Sequence, residues 1–210
     1  MDRRTSLQWM LAAAAGPLGS LGSLAQHAAA AVPIPAPTGY GTDPKLVKSY
    51  RSGELWPLTF SAAQRLLAAS LCRLIIPADA HSPSAADVGV PVFIDEWISA
   101  PYPAHAKDRL QILQGLEWMD RESQARFGRP FAAADEAQQV LICDDICFAR
   151  KAAPPFKPAA AFFARFRDLT AGGFYTTPDG TKDLGFVGNV PSQNFDGPPA
   201  DVLKIVGVDG

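Results

Sequence analysis

The sequence predicts an all-α protein: a compact helical domain of about five helices, with an extended N-terminal arm and a long irregular C-terminal tail. Three observations predict it. Apolar residues recur at spacings of three and four from Phe60 onward, Pro or Gly closes each such run, and no stretch of any length alternates apolar with polar residues as a half-buried strand would. The chain divides into a leader over 1–31, a Pro-rich arm over 32–57, and the helical domain over 58–210, whose Gly/Pro-rich tail starts at 172.

The leader begins MDRRTSLQWMLAAAAG. Arg3 and Arg4 precede a weakly apolar stretch from Leu7 to Ala25, and small residues at 28–31 offer cleavage near Ala30 or Ala31. This pattern resembles a twin-arginine export signal, the address of proteins that cross the membrane already folded, and it implies a periplasmic location. Asp2, Ser6 and Gln8 depart from the commonest residues of such signals. The alternative is a retained anchor, which Pro17 and the abundant Gly and Ala make a poor spanning helix.

Without Asp2, Arg3 and Arg4, the 19 basic and 21 acidic residues become 17 and 20, a net charge of −3. No basic stripe appears, which makes nucleic acid and anionic membrane surfaces poor candidates as partners. A charged fraction of 19% beside an apolar fraction of 48% fits a domain that covers part of its surface with another protein.

In the arm, prolines at 33, 35, 37, 44 and 57 forbid a long helix and leave room for one turn around Pro44 to Tyr50. Tyr40, Tyr50 and Trp56 are dense for a linker and indicate a segment packed on something. Thr59 is the expected N-cap of the first helix, with Phe60, Leu66, Leu67, Leu71, Leu74 and Ile75 as its apolar set and Pro77 as its stop. A loop follows. Pro91 then opens a short helix whose apolar face is Phe93, Trp97 and Ile94. The spacing of Ile112, Leu116, Met119 and Phe127, with Leu110 and Leu113 beside them, predicts a long helix from about His105 to Phe127, closed by Gly128. Phe131 leads into a helix from about Ala134 to Ala149, with Asp135 and Glu136 in its first turn. The last predicted helix runs from about Pro158, carries Phe162, Phe163, Phe166 and Leu169, and ends at Gly172-Gly173. Beyond it, Pro178-Asp179-Gly180 reads as a turn, and order must come without helices. The interleaved Phe174, Tyr175, Leu184, Phe186, Val187 and Phe195 set this tail apart from disordered sequence.

Chemical motifs are sparse. No P-loop, nucleophile-elbow serine or H-E-x-x-H occurs, and the glycines at 16, 19 and 22 follow no strand. Cys72, Cys143 and Cys147 are either three buried small residues or a pairing of Cys72 with one of the others. Asp95-Glu96, Asp144-Asp145 and Glu117 with Asp120 read as solvated helix faces. Asp79 and His81, in the loop after the first helix, are the best acid–base or ligand candidates, against the plainer reading that Asp79 bonds loop N–H groups. On them rests the alternative of an independent periplasmic enzyme; a leader-anchored binding protein is the other.

The segments IIPADAHSPSAADVGVPVFIDEWIS (75–99), FGRPF (127–131) and GGFYTTPDGTKDLGFVGNVP (172–191) resemble the hallmark stretches of the gluconate 2-dehydrogenase subunit 3 family. The resemblance implies a non-catalytic small subunit of a membrane-associated periplasmic sugar or sugar-acid dehydrogenase. It implies a glucose–methanol–choline-type flavoprotein as catalytic partner, holding FAD and in some complexes an iron–sulfur cluster. It also implies a multihaem cytochrome c subunit with haem c, and export of the flavoprotein on this chain's twin-arginine signal through the translocase. No cofactor, catalytic residue or metal is expected in this chain. The residues expected to meet the partner are Trp56, Gly173, Phe174, Tyr175, Pro178, Gly180, Asp183, Leu184, Gly185, Phe186, Gly188 and Asn189, the alternative being that 172–191 folds back on its own helices.

Overall fold

In the computed structural model, which describes residues 50–186, 197–198 and 200–207, the first helix opens at Ser61 rather than Thr59. Ser61 Oγ accepts the Gln64 N–H at 3.2 Å and Gln64 Oε1 accepts the Ser61 N–H at 2.9 Å, a reciprocal capping box. Helix α1 (Ala62–Ile75) buries Leu67, Ala68, Leu71, Cys72 and Ile75, whereas Leu66, expected in its core face, is 65% exposed. Thr59 serves instead as a junction: its N–H reaches Asp95 Oδ1 at 2.8 Å and Ser99 Oγ at 2.9 Å.

Helix α2 (Val90–Ser99) has Pro91 in its first turn, as the sequence predicts, but its buried face is Val90, Ile94 and Ile98. Phe93 and Trp97 lie at the margin of that face. Helix α3 (Pro103–Phe127) starts two residues earlier than expected because Pro103 occupies the first turn, where no N–H is needed. It buries Ile112, Leu116 and Met119, and Gly128 closes it in the left-handed conformation at φ 68°. After a 3₁₀ turn at Phe131–Ala133, helix α4 (Glu136–Ile146) begins under a second capping box, Asp135 with Gln138. Asp135 is therefore the cap rather than first-turn residue, and the helix stops before Phe148. The buried Gln139 amide donates to Phe131 O at 2.8 Å and Ala134 O at 3.2 Å, tying α4 to the turn before it.

The largest departure from expectation lies in helix α5 (Lys157–Tyr175), which follows a 3₁₀ turn at Pro154–Phe156 and runs straight through Gly172-Gly173. Each glycine costs a helix about 1 kcal/mol relative to alanine, and tertiary packing outweighs that here. A Cβ on Gly173 would stand 2.7 Å from Phe93 Cδ1 and 3.1 Å from Val90 Cγ1, so the glycine is what lets α5 lie against α2. Phe174, in the next position, is wholly buried. The tail is also not devoid of helix: α6 (Pro178–Asp183) and α7 (Ala200–Val206) follow. Pro178-Asp179-Gly180 is a helix start, because Thr177 Oγ1 accepts the Gly180 N–H at 3.0 Å and Pro178 fits the first turn.

The described residues thus form seven α-helices and no strand. Helices α3 and α5 make the central pair, with α2 against both, α1 across α2 and α5, α4 against α3 and α5, and α6 packed back on α5. The α3–α5 crossing is close enough that a Cβ on Gly115 would sit 1.9 Å from Phe162 Cγ. Around it Phe162, Phe166, Ile112, Leu116, Met119, Ile94, Ile98, Leu71 and Phe131 are fully buried. No helix of the described residues is long and apolar enough to cross a membrane.

Candidate functional site

The Asp79 carboxylate is spent on its own loop. Its Oδ1 accepts the N–H groups of His81 at 2.8 Å and Ser82 at 2.9 Å, while Asp79 N–H donates to Ser82 O at 3.0 Å. The His81 side chain is exposed beside it. Among the described residues no three His, Cys, Asp or Glu side chains gather as a metal site.

The three cysteines are buried and free, so Cys72 pairs with neither of the others. Burial pushes the Cys72 thiol up to about 12 and raises those of Cys143 and Cys147 as well. Thiols held protonated in this way are poor nucleophiles.

The carboxylates expected on solvated faces divide. Asp95 is fully buried and accepts the N–H groups of Thr59 and Phe60 at 2.8 and 2.9 Å, which fixes how the chain enters α1. Asp120 Oδ1 accepts the Phe131 N–H at 2.9 Å. Both are structural anchors, a use that neighbouring acidic residues in a sequence do not advertise.

The hallmark segment from 172 splits into an inner and an outer part. Gly173, Phe174 and Gly180 face inward; a Cβ on Gly180 would lie 2.0 Å from Phe174 O. Phe174 and Gly180, expected at a partner surface, therefore hold α6 onto α5, and Gly173, expected there too, lets α5 lie against α2. Tyr175 is half-buried, edge-on to Phe174 with centroids 5.1 Å apart. The outer part is built as a helix cap. Gly185, at φ 65°, donates its N–H to Lys182 O, and Phe186 N–H donates to Thr181 O, both at 3.0 Å. This is the Schellman arrangement, and it turns Leu184 and Phe186 outward, 59% and 60% exposed. Pro178 is exposed and Asp183 half-buried. Gly188 and Asn189, like Arg3 and Arg4, lie outside the described residues.

A second surface lies at the C-terminal end of α2. Tyr50, Trp56, Phe93, Glu96, Trp97, Ala100, Tyr102 and His105 line a groove of about 220 Å³. Its rings form a continuous series: Tyr50 to Trp56 at 6.3 Å, Trp56 to Tyr102 at 5.9 Å, Tyr102 to His105 at 5.7 Å, His105 to Trp97 at 4.4 Å, Trp97 to Phe93 at 6.0 Å. Of the three arm aromatics expected to pack on something, Trp56 packs on α2 and the start of α3 and Tyr50 packs on Trp56, while Tyr40 lies outside the described residues.

Physical necessity built this end of the molecule. The last carbonyls of a helix have no partner within it. Here His105 Nδ1 donates to Trp97 O at 2.6 Å, and Arg109 to Ile98 O at 2.5 Å and Ala100 O at 3.0 Å, while Trp56 Nε1 at 3.3 Å joins the Ala100 N–H at Glu96 O. Behind the groove, Arg165 grips Asp108 through two hydrogen bonds and lies 5.9 Å over the Trp97 ring, while Trp97 Nε1 donates to Asp108 Oδ2 at 2.8 Å. The bonds from Arg165, and then that from Trp97, hold the Asp108 carboxyl below the usual carboxylate range. Burial, and then the charge of Glu96, push the Tyr50 phenol up. Sequence reasoning missed Glu96, Tyr102, His105, Asp108 and Arg165, because only the fold brings α2, α3 and α5 together. The lone signal was a tryptophan on α2 with a histidine and an aspartate opening the next helix.

The family described as gluconate 2-dehydrogenase subunit 3 matches residues 62–197. No curated protein and no solved structure matches the chain at a significant level.

Proposed function

The chain belongs to the gluconate 2-dehydrogenase subunit 3 family, and on that premise we propose that it is the non-catalytic small subunit of a membrane-associated periplasmic sugar or sugar-acid dehydrogenase. Its partner is a glucose–methanol–choline-type flavoprotein that carries FAD and oxidises the substrate; a multihaem cytochrome c takes the electrons onward. This chain stabilises the flavoprotein, and its Arg3-Arg4 signal takes both folded proteins through the twin-arginine translocase.

The observation that supports the reading best is the outward presentation of Leu184 and Phe186. A built cap exposes two large apolar side chains where they would otherwise be withdrawn from water, and nothing in the cap's hydrogen bonding needs them to be apolar. Such residues at the centre of an interface carry most of its free energy. The inner half of the same segment makes the platform rigid, so that little ordering entropy is lost on binding.

Co-expression of the full chain with a glucose–methanol–choline-type flavoprotein of the same organism tests this. A one-to-one complex containing FAD is expected on size exclusion, and Leu184→Ser with Phe186→Ser should release the flavoprotein while leaving this chain folded. A flavoprotein that is soluble, fully loaded with FAD and never associated with this chain would contradict the proposal.

A further inference from the structure

Helix α7 (Ala200–Val206) buries none of its residues. Val202, Ile205 and Val206 stand three and four apart, which puts them on one face, and they are 41%, 82% and 61% exposed. Leu203 alone is half-buried, and Asp201 and Lys204 are exposed. A helix of seven residues is marginal in water by itself, and helices in proteins owe most of their stability to the packing of an apolar face. Among the described residues, α7 has the face without the packing. The family match ends at residue 197, so α7 also lies outside the shared fold and is not part of its core.

Three kinds of surface could cover such a stripe, and charge and area separate them. An anionic membrane calls for Lys and Arg along the polar face, whereas α7 sets one Lys204 against Asp201, with Asp209 close behind. A stable pair of identical chains needs about 800 Å² from each partner, more than three aliphatic side chains supply. A stripe this small contributes where another contact on the same chain already holds the partner, because the second binding event is then intramolecular. Leu184 and Phe186 are that contact: they face outward, and only residues 187–199 separate Phe186 from α7.

We propose that the Val202–Ile205–Val206 face of α7 is a second docking element, laid into an apolar groove of the flavoprotein as a short amphipathic helix is. That the occupant is the flavoprotein rests on the accessory-subunit reading. The contact at Leu184 and Phe186 captures the partner, and α7 slows its release.

The test is calorimetric titration of the full chain with a glucose–methanol–choline-type flavoprotein of the same organism. Val202→Ser with Ile205→Ser and Val206→Ser should weaken binding about tenfold or more, chiefly through faster dissociation. Thermal unfolding of this chain alone should not change, because nothing in α7 is buried. Undiminished affinity of the triple variant overturns the proposal while leaving the accessory-subunit reading in place. A drop in the chain's own melting temperature also overturns it, since the stripe would then be packed on its own domain. So does a dimer of the chain alone, or its binding to vesicles of phosphatidylethanolamine and phosphatidylglycerol, that the triple change abolishes; the occupant would then be a second copy or a membrane. A natural chain that binds no flavoprotein would overturn the accessory-subunit reading, and the role of α7 with it.

Discussion

Arg165 on α5 and Asp108 on α3 meet in a two-point contact: Nε reaches Oδ1 at 2.8 Å and an Nη reaches Oδ2 at 2.5 Å. The pair joins the central helices at the edge of the core, and Trp97 on α2 bonds the same carboxylate. Three helices are thus tied at one side chain. Asp108→Asn keeps the shape and loses the charge, and should cost about 2–3 kcal/mol of stability by urea unfolding.

The same pair sets an acid limit. Asp108 has its folded pKa lowered, so its contribution is complete above the unfolded value of about 3.9 and is lost as pH falls through the folded value. The stability gap between the natural chain and Asp108→Asn should therefore be flat from neutral pH down to about pH 5 and close below about pH 4. A gap that closed instead between pH 6 and 8 would assign the effect to another group.

Gly115→Ala places a methyl group 1.9 Å from the Phe162 ring at the α3–α5 crossing. The Phe162 ring is fully buried and cannot withdraw without disturbing its neighbours, so the expected loss is about 1–3 kcal/mol. Adding Phe162→Leu should restore part of it, because the smaller side chain vacates the space; additive losses in the double variant would mean that the two residues do not meet.

Within the hallmark segment, inner and outer residues should separate cleanly. Gly180→Ala drives a Cβ into the backbone carbonyl of Phe174, which cannot swing away, and should be among the most destabilising single changes. Gly185→Ala, strained only by its positive φ, should cost about 1–2 kcal/mol. Leu184→Ser and Phe186→Ser should change stability by no more than about 0.5 kcal/mol and act on complex formation instead. Thermal unfolding beside co-purification yield reads both effects.

The thiols give an independent check of the core. Cys72, Cys143 and Cys147 should resist a thiol reagent at pH 8 in the folded chain, and all three should react once it is unfolded. Rapid labelling of Cys72 in the native state would mean that α1 and α5 do not close around it as Sγ···Thr170 Oγ1 at 3.7 Å describes.

How far these elements were legible in the sequence depended on whether one signal or two competed at a position. Gly128 follows a long apolar period and has no rival, and the helix ends where expected. Thr59 and Ser61 are both capping residues; Gln64, three beyond Ser61, is the discriminating partner, and it was the feature to weigh. Gly172-Gly173 and Pro178-Asp179-Gly180 carry strong local signals for breaks. Those were overridden by contacts that sequence does not display: Phe93 and Val90 against Gly173, and Phe174 O against Gly180. Tyr50 and Trp56 were readable as packed aromatics, but the groove that they complete was not, since Glu96, Tyr102 and His105 acquire meaning only when α2 and α3 meet. Arg3, Arg4, Gly188 and Asn189 fall outside the described residues, and their roles rest on the family and the leader pattern.

The most direct test of the account is the protein-bound FAD recovered from the periplasm of cells carrying this chain and its flavoprotein, compared with cells in which Arg3→Lys and Arg4→Lys replace the leader pair. The account predicts that periplasmic flavoprotein and its FAD fall together to background in the variant, with both chains retained in the cytoplasm. Undiminished FAD-loaded flavoprotein in the periplasm of the variant cells would contradict it.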